Sequence, residues 1–181
     1  MKKFISIILI SVTSLFSGNA LAQAYDGDDD SQLILGYVRI KDVSGIELQS
    51  DKGVGDVVSF GARITYLFVE NPQITDSQGN TYTFDIKGID KFNLGAFVRL
   101  HFSETFKLSE KFDPFLGLDI SLKGFAAHGG AKYSLNDNFC VFGQFTNGFG
   151  SLYNANDNGD YNANYFAKQS YITLGLSIRL D

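Results

Sequence analysis

The sequence predicts an all-β protein, an antiparallel up-and-down barrel of about eight strands. Three observations support this fold class. The chain contains 17 Phe and 9 Tyr but only 2 Pro. Long stretches alternate apolar and polar residues with a period of two. No segment after residue 22 has the length of an apolar helix that crosses a membrane. The sequence therefore indicates strands throughout, each with one apolar face.

The first residues have the features of a secretory signal peptide. Residues 2–3 are lysines, residues 4–16 form an apolar run, and Ala-Leu-Ala follows at 20–22. This order of basic, apolar and small residues predicts cleavage after the last alanine. We therefore expect residues 1–22 to be a signal peptide and residues 23–181 to form one exported barrel domain.

Composition excludes several classes of protein. Of the 15 basic residues, two lie in the predicted signal peptide, against 20 acidic residues. The remaining chain is therefore negatively charged, which argues against nucleic-acid binding. Cys140 is the only cysteine, so no intrachain disulfide forms and we expect a buried thiol. The sequence has no phosphate-binding loop, dinucleotide fingerprint or zinc-ligand spacing, and we expect no cofactor and no metal.

Eight segments alternate in the way expected of strands. In chain order they are Ser31 to Lys41, Val57 to Glu70, Thr81 to Gly88, Phe92 to Glu104, Phe112 to Lys123, Phe125 to Leu135, Phe139 to Thr146 and Tyr171 to Leu180. Residues 44–49 are either a ninth short strand or part of a polar connection over 42–56. Residues 71–80 and the Asn-, Asp- and Gly-rich segment 154–164 are further predicted connections.

Local details agree with these assignments. The pattern is clearest from Val57 to Glu70, where Ile64 and Tyr66 alternate with Arg63 and Thr65. In the segment from Phe112, a proline lies near the strand start, where a missing N–H is tolerated. Between the segments that end at Leu135 and begin at Phe139, Asn-Asp-Asn has the composition of a turn. Phe97 is the one residue that breaks the alternation of its segment.

The polar faces distinguish a membrane barrel from a soluble one. A soluble barrel turns its apolar face inward and carries Lys and Glu outside. Here the polar faces carry mainly Gly, Ser, Thr and Asn with isolated charges, which suits a narrow lumen in which charges pair. We therefore predict a transmembrane barrel whose apolar faces contact lipid. The bases predicted to share its lumen are Arg63, Arg99, Lys123, Lys132 and Arg179, and the acids are Asp85 and Asp119.

Residues 129–139, Gly-Gly-Ala-Lys-Tyr-Ser-Leu-Asn-Asp-Asn-Phe, resemble the strand, short turn and strand of small Gram-negative outer-membrane β-barrels. Together with the signal peptide and the terminal strand, they make residues 31–181 similar to the eight-stranded barrels of the opacity and attachment-invasion type. Members of this group usually end in an aromatic residue that the barrel-insertion machinery reads, whereas Asp181 follows Leu180 here.

The resemblance implies a monomer in the bacterial outer membrane. Its partners would be the outer-membrane lipid, lipopolysaccharide and the barrel-insertion machinery. The implied function is non-enzymatic, either structural or surface-interacting, with specificity in the loops.

Two other functions remain open, a lipid A modifying enzyme and a narrow pore for small solutes. His101 and Ser103 lie two positions apart on one strand face, where an imidazole can activate a hydroxyl. The pair is similar to the His-x-Ser of lipid A deacylases, but the sequence that follows departs from that family and no acid partner is apparent. We expect His101 to be an ordinary lumen residue, and His128 to fill space beside small residues.

Two acidic clusters and several tyrosines have simpler interpretations. Asp26 to Asp30 and Asn156 to Asp160 do not complete a twelve-residue calcium loop, so we expect both to be solvated. Tyrosines commonly form a girdle at the membrane interface. The candidates for such a girdle are Tyr37, Tyr66, Tyr82, Tyr153, Tyr161, Tyr165 and Tyr171.

Overall fold

Eight antiparallel strands form a closed barrel. The computed structural model describes residues 23–69, 73–75, 81–83, 88, 91–152, 166 and 168–180. The barrel strands are β1 (Ser31–Ile40), β2 (Val43–Gly53), β3 (Val58–Leu67), β6 (Phe92–His101), β7 (Phe112–Ser121), β8 (Gly124–Ser134), β9 (Phe139–Ser151) and β10 (Ser170–Arg179). Two short strands, β4 (Gln73–Thr75) and β5 (Thr81–Thr83), form a separate two-stranded sheet.

The barrel strands pair in chain order. Each pairs antiparallel with the next, β3 pairs with β6 across the β4–β5 hairpin, and β10 closes the barrel by pairing with β1. At this closing pair, Gln32 of β1 faces Arg179 of β10. The predicted antiparallel up-and-down barrel is therefore confirmed. The described part of the chain has no helix long and apolar enough to cross a bilayer.

One strand assignment was wrong. The segment Thr81 to Gly88, predicted as a barrel strand, contributes only the short strand β5 outside the barrel, and residues 84–87 lie outside the described residues. Its place is taken by β2, which covers most of the predicted connection 42–56. The sequence analysis missed β2 because of its composition. Its outward residues include Ser50 and Lys52 as well as Ile46 and Leu48, so its apolar face is weak.

Successive side chains alternate between the outside and the lumen, as the pleat of a strand requires. In β7, for example, Leu116 and Leu118 are exposed whereas Phe115 and Asp119 are buried. Cys140 points inward and is buried as predicted.

Tyrosines occur on both faces of the wall. Of the predicted girdle, Tyr37 and Tyr66 are on the outside. Tyr171 is buried in the lumen, so its assignment to the girdle was wrong. It occupies an inward position of β10, directly before the outward Ile172. The other four candidates have side chains outside the described residues.

The up-and-down order divides the connections between two ends of the barrel. Residues 23–30 and Leu180 lie at one end, which we call the terminal end, with the connections 54–57, 102–111 and 135–138. The opposite end, which we call the loop end, carries two tight turns, at 41–42 and 122–123. It also carries the two longest connections, 68–91 and 152–169.

An apolar cluster lies in the lumen at the loop end. It brings together inward residues from the strand ends with Phe166 from the connection before β10. The buried members are Val38, Ile40, Leu67, Val69, Phe166 and Tyr171, with Val43 packed against them. Burying these side chains removes apolar surface from water and covers the lumen at this end.

Candidate functional site

Polar and charged side chains fill the lumen between the two ends. A buried polar group is costly unless it has a hydrogen-bond partner, so these side chains must satisfy one another. The buried inward polar residues in or beside the strands include Gln32, Glu47, Gln49, Asp51, Ser59, Arg63, Thr65, Asn93, Arg99, His101, Asp113, Asp119, His128, Lys132, Gln144, Thr146, Thr173 and Ser177.

Arg99 is the centre of this network. Its Nη1 donates to Asp51 Oδ2 at 2.6 Å, and its Nη2 donates to Gln144 Oε1 at 2.8 Å and Gln49 Oε1 at 2.5 Å. Its Nε donates to His128 Nε2 at 3.1 Å. All three guanidinium nitrogens therefore have partners, which is the condition for burying this charge completely.

Aromatic rings surround the same guanidinium. Arg99 Cζ lies 4.1 Å from the ring centroid of Phe97, 4.6 Å from that of Phe115 and 5.5 Å from that of Phe142. Phe115 and Phe142 are also stacked on each other. Phe97 broke the alternation in the sequence because it is an apolar residue at a lumen position. Its ring stabilises Arg99 by a cation–π contact.

Asp51 holds two cations with one oxygen. Its Oδ2 accepts from Arg99 and also from Lys132 Nζ at 3.0 Å. Glu47, on the same strand, accepts from Thr65 at 2.8 Å and Thr173 at 3.1 Å. The sequence analysis did not include these two acids of β2 among the lumen charges, because it left residues 44–49 open between a short strand and part of the connection 42–56.

Arg63 and Asp119, both among the charges predicted to share the lumen, form an ion pair there. Arg63 Nη2 lies 2.7 Å from Asp119 Oδ1, and both side chains are buried. His128 Nδ1 lies 2.5 Å from Asp119 Oδ2, so the carboxylate contacts a different group at each oxygen. The prediction that His128 only fills space was therefore wrong. Its two ring nitrogens join Asp119 to Arg99.

The remaining predicted lumen charges have different positions. Lys123 lies in the β7–β8 turn at the loop end. Arg179 lies at the terminal end, where its Nε is 3.3 Å from Asp30 and its Nη1 is 3.8 Å from Asp26. The first acidic cluster was predicted to be solvated, but its Asp26 and Asp30 are partners of Arg179 and Asp30 is buried. Asp85 and the second cluster lie outside the described residues.

His101 has a hydroxyl partner and an acid partner, but the hydroxyl is not that of Ser103. Its Nε2 lies 2.8 Å from Ser59 Oγ, and its Nδ1 lies 2.5 Å from Asp113 Oδ2. The alternative pairing of His101 with Ser103 is not formed, because β6 ends at His101 and the alternation does not continue into the following turn. The partners come instead from the neighbouring strands β3 and β7, and no local motif marks them in the sequence.

Tyr25 covers His101 at the terminal end. The two rings are stacked, with centroids 3.7 Å apart and an angle of 2° between their planes. The Tyr25 hydroxyl is within hydrogen-bond distance of two carbonyl oxygens, at 2.6 Å from Val58 and 2.7 Å from Gly55. Burial, and next the carboxylate of Asp30, raise the pKa of Tyr25 above its ordinary value. Tyr25 therefore donates as a neutral phenol.

The segment that carries Tyr25 is attached at three sides of the terminal end. The Ala24 N–H donates to the Glu110 carbonyl at 2.8 Å, and Arg179 Nη2 donates to the Gln23 carbonyl at 2.8 Å. Gln32 Nε2 donates to the Ala24 carbonyl at 3.1 Å. These contacts hold residues 23–25, which belong to no strand of the wall, across the mouth of the lumen.

A small cavity adjoins the Arg63–Asp119 pair. It has a volume of about 20 Å³ and is lined in part by Asn93, Phe166 and Tyr171. This is room for roughly one water molecule. Arg63 Nε and Asn93 Oδ1 are buried without a protein partner there, and a water molecule would satisfy them.

Residues 15–174 match the model of a family described as a family of unknown function, DUF6646. The chain belongs to the DUF6646 family. No curated protein matches this DUF6646 chain. Its predicted membership of the opacity and attachment-invasion group stays a prediction.

Several solved barrels are similar in overall shape to the DUF6646 chain. A structure from the de novo design of transmembrane β-barrels has 9% identity, covers 86% of this chain and 98% of its own, and gives a TM-score of 0.49. Neisserial surface protein A has 10% identity, with 83% and 94% covered and a TM-score of 0.41. Salmonella typhi OmpF, in complex with daunomycin, has 13% identity, with 87% and 48% covered and a TM-score of 0.34.

Proposed function

We propose that this chain is a monomeric integral β-barrel of the bacterial outer membrane with a structural or surface-interacting role. One observation carries the proposal: the wall is apolar outside and polar inside. Outward residues such as Leu118 and Leu174 are each 58% exposed, whereas Arg99 and Lys132 are fully buried. A barrel in water would bury such leucines and expose such cations. In a bilayer the outward side chains contact hydrocarbon instead.

The arrangement of connections supports one orientation in the membrane. Outer-membrane barrels have short periplasmic turns and longer extracellular loops. The loop end, with the connections 68–91 and 152–169, would therefore face outward and carry any specificity for a partner at the cell surface. The terminal end would face the periplasm. Outer-membrane lipid and lipopolysaccharide would contact the wall, and the barrel-insertion machinery would place it there.

Membrane fractionation with a heat-modifiability gel tests this proposal directly. We expect the chain in the outer-membrane fraction, and we expect the unboiled protein in detergent to migrate differently from the boiled protein. Recovery in the soluble periplasmic fraction would contradict the proposal.

Charged residues on the outside of the wall should destabilise the barrel in a bilayer. Leu118 and Ile64 are outward residues near strand centres, with 58% and 42% of their surfaces exposed. If they face the bilayer midplane, Leu118→Arg and Ile64→Arg should each lower the free energy of unfolding by about 2 to 4 kcal/mol. The apolar exchanges Leu118→Ile and Ile64→Val are matched controls and should be nearly neutral. Unchanged folding yields of both arginine variants into lipid vesicles would show that these positions do not face lipid.

A pore is the less favoured function because side chains fill the described lumen. Arg99 and its partners cross the middle of the lumen, the apolar cluster covers the loop end and Tyr25 covers the terminal end. We therefore expect no stepwise conductance when the refolded protein is added to a planar bilayer. Reproducible single-channel steps, absent with the boiled protein, would favour the pore.

A lipid A enzyme is also less favoured. His101 and His128 both point into the lumen and are buried, so neither can reach a lipid on the outer wall. We expect unchanged lipid A in a deletion strain, and altered acylation there would favour the enzyme.

A further inference from the structure

Ser59, His101 and Asp113 meet at the rim of the lumen rather than in its middle. Ser59 is the second residue of β3, His101 is the last residue of β6 and Asp113 is the second residue of β7, so all three lie at the terminal end. Three successive wall strands therefore place a hydroxyl, an imidazole and a carboxylate in line beside an aqueous compartment.

The hydrogen bonds define which ring nitrogen of His101 is basic. A carboxylate only accepts hydrogen bonds, so the neutral imidazole carries its proton on Nδ1, toward Asp113. Its Nε2 lone pair then accepts a hydrogen bond from the Ser59 hydroxyl, whose oxygen is 2.8 Å away. This is the arrangement in which a histidine activates a serine as a nucleophile. His128 differs, because its Nε2 accepts from the guanidinium of Arg99.

Tyr25 covers His101 at the mouth of the lumen. Its ring covers the imidazole face to face, and it belongs to the segment before β1 rather than to the wall. Ser59, His101 and Asp113 are each at most 1% exposed with this ring in place. The barrel can keep all of its strand pairs when Tyr25 moves away, because no strand pair includes this residue.

We propose that Ser59, His101 and Asp113 form a latent nucleophilic site, which cleaves small soluble acyl esters once Tyr25 leaves the mouth of the lumen. This activity goes beyond the proposed structural function of the barrel. The Ser59 oxygen bonds to the ester carbonyl carbon while its proton passes to His101 Nε2. The ester C–O bond then breaks and the leaving alcohol takes that proton. A water molecule, deprotonated by His101, hydrolyses the acyl-Ser59 and releases the acid.

Two lumen cations favour this chemistry electrostatically. Arg99 is the cross-strand neighbour of Ser59, and Lys132 is the cross-strand neighbour of Asp113. Both belong to the buried network already described, so they are fixed before any substrate arrives. Positive charge near the attacked carbonyl stabilises the negative oxygen that develops there.

The test compares the full chain, refolded in detergent, with its Tyr25→Ala variant. The probes are a fluorophosphonate, which labels activated serines, and 4-nitrophenyl acetate. We expect Tyr25→Ala to be labelled on Ser59 and to release nitrophenol, whereas the unmodified chain, in which Ser59 is 0% exposed, should show neither reaction. Tyr25→Phe keeps the covering ring and should behave like the unmodified chain.

Further variants identify the residue and guard against misfolding. Adding Ser59→Ala or His101→Gln to Tyr25→Ala should abolish labelling, whereas adding Ser103→Ala should not change it. If Tyr25→Ala does not refold, Tyr25→Leu fills part of the same volume and allows the same comparison. A folded, heat-modifiable Tyr25 variant without an adduct on Ser59 would overturn the proposal and leave the barrel assignment intact.

Discussion

Asp51→Asn is expected to lower the free energy of unfolding of the refolded barrel by about 3 to 5 kcal/mol. One oxygen of Asp51 neutralises both Arg99 and Lys132, at 2.6 and 3.0 Å. The side chains of both cations are 0% exposed. An asparagine keeps the shape but leaves two buried positive charges without an anion. The urea midpoint in detergent or lipid vesicles measures this loss.

Two comparisons make the Asp51 experiment specific. Asp42→Asn removes a carboxylate from the exposed turn 41–42, where the nearest cation, Arg39, is 4.0 Å away, and should be nearly neutral. Adding Lys132→Met to Asp51→Asn removes one of the two unpaired charges and should restore part of the stability. Additive losses in the double variant would show that Asp51 and Lys132 do not interact.

Asp119→Asn should also be costly, by about 3 kcal/mol, the lower part of the range for a broken buried pair. The change leaves Arg63 without its carboxylate and gives His128 Nδ1 an amide that can donate as well as accept. The loss is moderated because Arg63 Nη1 keeps Tyr171, 3.3 Å away. The adjacent cavity of about 20 Å³ also admits a water molecule.

Lys123→Gln is the comparison for Asp119→Asn. Lys123 is itself buried in the β7–β8 turn at the loop end, but its replacement leaves no buried guanidinium without a carboxylate, so it should lower the urea midpoint less than that of Asp119. Lipid A analysis of the corresponding strains adds a functional readout. Unchanged stability of Asp119→Asn together with altered lipid A would move Asp119 from a stabilising role to an active site.

The sequence was sufficient for the faces of most strands. Period two at positions such as Arg63 and Ile64, or Leu118 and Asp119, assigns inward and outward residues without knowledge of any partner strand. The same pattern failed to identify β2. Ser50 and Lys52 face outward there, and they alternate with the inward polar residues Glu47, Gln49 and Asp51. A strand recognised only by its apolar face is missed when half of that face is polar.

The partners of the lumen residues could not be predicted in the same way. Ser59 and His101 are separated by 42 positions, and Arg99 and Asp51 by 48. Such contacts depend on which strands are neighbours and on their register, neither of which is written in a local pattern. The predicted strand Thr81 to Gly88 took the place of β2, so Glu47 and Asp51 were absent from the predicted lumen, and one wrong strand changed the predicted chemistry as well as the fold.

The pairing of β1 with β10 has a consequence for how the barrel forms. These strands are at opposite ends of the chain, so their hydrogen bonds depend on contacts of very high sequence separation, whereas most other strand pairs are hairpins. Non-local pairing of this kind slows folding. Until the β1–β10 pair forms, β1 and the last strand added each have an edge of unpaired backbone N–H and C=O groups. Such groups are energetically costly in hydrocarbon. If the barrel spans a membrane as proposed, we expect wall closure and membrane entry to be coupled, and a chain truncated before β10 to have no stable membrane form.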